Sequence, residues 1–152
     1  MDPLREDELQ AYVTRLPLAN EAFFAMVEAT AAAVAVSEKY WQSKGHNGAR
    51  IRVLVEMAKQ GGSMLPSLLA ERIGVTKANI SLLLLPLEKD GLIVRSGHAE
   101  DGRKTVISLT DKSRALLCEH LPENRQTVAG VMNRLNEREL EQLMMLLRKL
   151  KS

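Results

Sequence analysis

The chain has 152 residues, with 21 Lys and Arg against 19 Asp and Glu, 45% apolar residues and a single cysteine, Cys118. That length suits one compact domain burying roughly two-thirds of its unfolded surface, and the composition excludes a disordered or low-complexity chain. A lone cysteine excludes an intramolecular disulfide framework, so a reducing, cytoplasmic setting is expected. Leu9, Tyr12, Val13 and Leu16 recur at i, i+3, i+4, i+7, predicting a short amphipathic helix that ends at Pro17. From about Leu18 to Ser43 an Ala-rich segment without Gly or Pro predicts one long helix carrying Phe23, Phe24, Val27, Ala31, Val34 and Trp41. Gly45 ends it, and Asn47 is placed to cap a helix whose apolar face is Ile51, Leu54, Val55 and Ala58, closed by Gly61-Gly62.

Pro66 suits the first position of a short helix, Gly74 its end, and Thr76 the cap of another that turns Ile80, Leu83, Leu84 and Leu87 to one side. Two short helices across a tight glycine turn make a helix-turn-helix. The period then changes. Leu92 to Ser96 and Thr105 to Leu109 are β-prone around the turn-like Ala99-Glu100-Asp101-Gly102, which predicts a hairpin. Two terminal helices follow, Asp111 to about Leu135 with a bend at Pro122, and Asn136 to Leu150 with an apolar stripe of Leu140, Leu143, Met144 and Leu147.

The expected fold is mainly α with a small β-hairpin wing: a winged helix-turn-helix flanked by N- and C-terminal dimerisation helices. Residues 1–43 form the acidic N-terminal part, 44–110 the DNA-binding lobe and 111–152 the C-terminal dimerisation helices of a single structural unit. Residues 1–43 hold three basic and seven acidic groups, whereas 44–152 hold 18 and 12. A helix of about 26 residues spans roughly 39 Å, more than a compact domain of this size needs. Both ends are therefore expected to bury apolar surface against a second copy, and a two-fold dimer would present two recognition helices to a pseudo-palindromic DNA site. No charge-free stretch exceeds the 11 residues from Gln60 to Ala70, below the roughly 18 of a spanning helix, so no membrane partner is expected. The start, Met1-Asp2-Pro3 and then Glu6-Asp7-Glu8, is unlike a signal peptide.

The run from Gly74 through Val75-Thr76-Lys77-Ala78-Asn79-Ile80 to Ser81 precedes Leu87-Glu88-Lys89-Asp90-Gly91-Leu92-Ile93. Asp101-Gly102-Arg103 then stands ahead of Val106-Ile107-Ser108-Leu109-Thr110. Together these resemble the MarR family of bacterial transcriptional regulators, with matching element order from about Leu18 to Leu150. The resemblance implies a homodimer that binds operator DNA and often releases it when a small molecule enters the crevice between dimer helices and DNA-binding lobe; a repressor is expected.

In such a frame Lys77 and Ser81 lie early in the recognition helix, where helix amides favour phosphate and polar side chains reach base edges. Thr76 caps that helix and is placed to touch phosphate, and Asn79 is a flanking DNA contact. Pro66 and Ser67 open the preceding helix, whose amides can also meet phosphate. Arg103 at the hairpin tip can enter a minor groove, aimed by Asp101, with His98 and Lys104 as wing phosphate contacts. Ala78, Leu82 and Leu85 occupy the side opposite the core stripe, with Pro86 at the flank, and Leu82, Leu85 and Pro86 depart from the family's pattern of small, polar or basic residues there. They favour an alternative, a winged-helix dimer that mainly binds protein and holds DNA weakly. Pro86 also removes one helix hydrogen bond and is expected to kink or tighten the last turn.

The family likeness further implies an effector pocket near Trp41, His46 and Arg50. His46, His98 and His120 are far apart in sequence, so no metal site is expected, and Cys118 among Leu116, Leu117 and Leu121 is expected to be buried and inert. No nucleophile elbow, zinc-protease, phosphate-loop or dinucleotide motif occurs, so neither an enzyme nor a cofactor is expected.

Overall fold

In the computed structural model, the described residues, 3–97 and 105–152, form seven helices and three strands. The expected turn at Ala99–Gly102 and the wing residues His98, Asp101, Arg103 and Lys104 lie outside them. Contacts divide the chain into two compact units, residues 1–35 and residues 36–152.

The first unit holds α1, Glu6–Thr14, and the start of α2, Leu18–Ser43. Glu6, Asp7 and Glu8 fill the first turn of α1, where the helix dipole favours negative charge. The long helix has the bounds that its uninterrupted Ala-rich run predicts. No described residue of this unit is buried, and Leu18, Phe23, Phe24, Val27 and Val34 are exposed. Measuring charge-free stretches understates α2. Carboxylates at Glu21, Glu28 and Glu38 interrupt the run, yet an 18-residue window still has mean hydropathy 1.3, long and apolar enough by composition to cross a membrane.

The second unit is built on α3, Gly48–Lys59, capped by the Asn47 side chain accepting from the Arg50 amide at 3.1 Å. Its buried residues are Ile51, Val53, Leu54 and Met57, while Ala58, expected inside, is exposed. The reason is that α3 packs against α4, α5, α6 and the sheet at once, which buries a wider arc than a single stripe. After Gly61 and Gly62 a two-residue strand β1, Ser63–Met64, joins the hairpin β2, Ile93–Gly97, and β3, Thr105–Leu109, in the order β1-β3-β2. The sheet is therefore three-stranded, not a bare hairpin. Ser63 faces Ser108 and Met64 faces Ile107, with the two serine hydroxyls 2.8 Å apart.

Helix α4, Pro66–Ile73, ends at Gly74 with φ 82°, a left-handed turn that only glycine adopts cheaply. Helix α5, Lys77–Lys89, buries Ile80, Leu84 and Leu87 and runs unbroken through Pro86; the Asp90 amide still donates to the Pro86 carbonyl at 2.9 Å. Thr110 fastens the sheet to the next helix, α6. Its hydroxyl donates to the Gly91 carbonyl at 2.7 Å, and the same oxygen accepts from the Ser113 amide. Helix α6, Asp111–Met132, passes through Pro122 and ends three residues earlier than expected. Helix α7, Glu137–Lys151, starts with the Asn136–Glu139 capping box. It has no buried residue; Leu140 and Leu143 are half-buried, and Met144, Met145, Leu146, Leu147 and Leu150 are exposed. The last turns of α2 belong to this unit, where Tyr40 and Trp41 enter the core with Leu54, Met57, Leu84 and Ile107.

Candidate nucleic-acid interface

Helices α4 and α5, joined across the Gly74 turn, both bring their first residues to one groove. The Thr76 hydroxyl accepts from the Asn79 amide at 3.2 Å, and the internal ladder begins when the Ile80 amide reaches the Thr76 carbonyl. The amides of Lys77 and Ala78 precede that ladder and point out of the helix end, where the dipole favours an anion. At α4 the cap is Leu65, which supplies no side-chain bond, and Pro66 occupies the first position, so Ser67 provides the first amide.

A surface groove of about 420 Å³ joins these ends to the sheet, with Pro66, Ser67, Lys77, Ser81, Arg95 and Thr105 among its walls. Four of the expected contact residues thus share one concavity. Thr76, the residue before Lys77, is the cap and is not among the walls. Asn79 is exposed elsewhere on the first turn. The Ser81 hydroxyl donates to the Lys77 carbonyl at 3.1 Å, which leaves its oxygen as an acceptor facing the groove. Arg95 is the group that sequence reasoning missed. Alternation from the buried Ile93 puts it on the inner face of β2, and its Nε donates to Glu88 Oε2 of α5 at 2.8 Å. The guanidinium is held beside the recognition helix with other donors available to a phosphate.

A second cluster forms where α2, the loop before α3 and α6 meet. The Trp41 ring, 2% exposed, lies 6.3 Å from His46 and 6.1 Å from His120, and the two imidazoles are 5.6 Å apart. The Tyr40 hydroxyl donates to the His120 carbonyl at 3.1 Å and to Glu123 Oε2 at 3.4 Å. Desolvation and then the Glu123 carboxylate push the Tyr40 phenol above its ordinary range. Burial holds His46 below its usual value, His120 adds to that and Glu119 opposes it. Trp41 and His46, both expected pocket residues, therefore adjoin, joined by His120. Arg50 is half-buried on α3 and makes none of these ring contacts. Among the described residues no group of three or more His, Cys, Asp or Glu could hold a metal ion.

Cys118 corrects the sequence reading. It is exposed, because Ser113 and Leu117 face inward and the next residue is turned about 100° away. It lines a shallow apolar groove with Gly62, Leu109, Arg114, Leu121 and Pro122.

Residues 44–104 match the sequence profile of the MarR family. The HTH-type transcriptional repressor YetL of Bacillus subtilis is 33% identical over 113 residues, 74% of this chain and 68% of that protein. Sco3205, a MarR family transcriptional regulator from Streptomyces coelicolor solved in complex with DNA, superposes with a TM-score of 0.81 at 22% identity, over 90% of this chain and 89% of that one. BpsR of Bordetella bronchiseptica, whose DNA binding is regulated by 6-hydroxynicotinic acid, gives a TM-score of 0.80 at 22% identity, over 91% and 98%. The likeness to these two structures is one of fold.

Proposed function

The chain belongs to the MarR family of DNA-binding transcriptional regulators, and we propose that it works as a cytoplasmic homodimer that represses from a pseudo-palindromic operator until a small molecule releases it. The observation that carries the dimer is apolar surface left open in a single chain, at Phe23, Phe24, Val27 and Val34 of α2 and at Met145, Leu146 and Leu150 of α7. Such surface on a water-soluble regulator calls for a partner, and a two-fold mate is the commonest one. Residues 1–43 and 111–152 then dimerise, leaving 44–110 for DNA. The α2 surface meets a second copy rather than a bilayer, in keeping with its carboxylates Glu21 and Glu28.

On this reading Lys77, Ser81, Asn79 and Thr76 of each copy face the major groove, and Pro66 and Ser67 the adjoining phosphates. Arg95 adds a backbone cation. The wing brings His98, Asp101, Arg103 and Lys104 to the flanking minor groove. Residues 63–110 hold six basic against five acidic groups, so affinity rests on placed cations rather than bulk charge. The repressing sense follows YetL, and the effector follows BpsR, with Trp41, His46 and Arg50 as its candidate contacts.

Sedimentation of the purified chain, followed by salt-titrated retardation of genomic fragments, tests the proposal. A dimer at micromolar concentration and a specifically retarded fragment, weakened steeply by added salt, are expected. A monomer, or a folded dimer that retards no fragment at any ionic strength, overturns it.

A further inference from the structure

The exposed side of α5 has an order of its own. At 100° per residue, the ridge diametrically opposite the buried Ile80, Leu84 and Leu87 is Ala78, Leu82 and Leu85, at i, i+4, i+7. Leu82 is 69% exposed and Leu85 58%. Lys77 and Ser81 run along one flank and Lys89 stands at the far end. A helix laid in a groove pushes its outermost ridge deepest, and here that ridge is aliphatic.

Two kinds of surface could cover it. A protein partner needs about 800 Å² on each side, and three side chains hemmed by Lys77, Glu88 and Lys89 supply far less. The DNA major groove, about 12 Å wide, admits the whole helix and offers one apolar group, the C5 methyl of thymine. Lys77 and Ser81, which line the groove with Arg95, stand next to Ala78 and Leu82 on α5, so a duplex seated in the groove meets the ridge as well.

Resting on the DNA-binding reading above, we infer that Leu82 and Leu85 read the operator by packing on thymine methyl groups, so that sequence is chosen in the major groove by apolar contact. Lys77, Ser81 and Arg95 then fix register on the backbone, and the leucines choose the site.

The test uses the full-length chain and a duplex recovered by it from a random-sequence pool, resynthesised with deoxyuridine in place of every thymidine. Uracil keeps each Watson–Crick pair and lacks only the methyl. Wild type should bind the uracil duplex about fourfold more weakly for each contacted methyl, hence on the order of 16-fold when both half-sites lose one. The Leu82→Ala, Leu85→Ala double variant, altered only at exposed positions, should bind both duplexes within about twofold of each other. Equal binding of the two duplexes by wild type overturns the inference. So does a double variant that still discriminates as wild type does, because the methyls then act through duplex shape. Failure of the folded dimer to recover any duplex overturns the DNA-binding reading itself, and is told apart by the absence of a thymine-containing complex.

Discussion

Residues 36–110 and residues 1–35 solve the problem of apolar surface in opposite ways. The former close on themselves: Leu54, Met57, Leu84 and Ile107 are fully or almost fully buried, and Thr76, Asn47 and Gly74 finish the helix ends. The latter bury none of their described residues, although Phe23, Phe24 and Val27 are as apolar as anything in the core. Stability in the first region is therefore a property of one chain. In the second, on the dimer reading proposed above, it depends on a partner, and so on protein concentration.

The contrast is broken most severely by Leu54→Ala, which leaves a cavity in the packed unit and should cost about 2–5 kcal/mol. Urea denaturation at two protein concentrations checks it, and the loss should be the same at both. The Phe23→Asp, Val27→Asp double variant attacks the other region. Far-UV circular dichroism should lose part of its helical signal, that of residues 1–35, while sedimentation shifts from dimer to monomer. Losing the second recognition helix should weaken operator binding on the order of 100-fold. Thr76→Ala is milder. The cap on the Asn79 amide disappears at a cost of about 1 kcal/mol, read as a lower unfolding midpoint with the dimer intact.

Legibility follows the same divide. The bounds of α2, α4 and α5 are readable because each is written in local chemistry: an unbroken Ala-rich run, Pro66, the Gly74 turn and the Thr76 cap. Strand β1 is not, since two residues carry no period and Ser63–Met64 become a strand only through pairing with Ser108 and Ile107. The α3 face is misjudged by a step, Ala58 for Met57, because packing from several sides overrides a single stripe. Within the groove, Lys77, Ser81, Pro66 and Ser67 are legible from their places at helix starts. Arg95 is not singled out, because its value lies in the alternation that turns it toward Glu88. Cys118 shows the converse error: leucine neighbours in sequence say little about which way one helical position points.

The nearness of His46 and His120 is the least legible feature, since 74 positions separate them and only the tertiary fold brings the rings to 5.6 Å. It carries the smallest effect. Trp41 from α2, and His120 and Glu119 from α6, face His46, and burial first, then His120, lowers its proton affinity below the ordinary 6.5, with Glu119 opposing. The folded chain therefore prefers the neutral ring. As pH falls through about 6.5, the unfolded chain takes up a proton that the folded chain refuses, and stability declines. The decline stops growing once pH passes below the folded value, where both forms are charged. Thermal midpoints measured from about pH 8 down to about pH 5.5 should fall more steeply for wild type than for His46→Gln, which removes the titrating group and keeps a polar side chain. Parallel curves would mean that solvent around the half-buried ring already stabilises the imidazolium as well as water does.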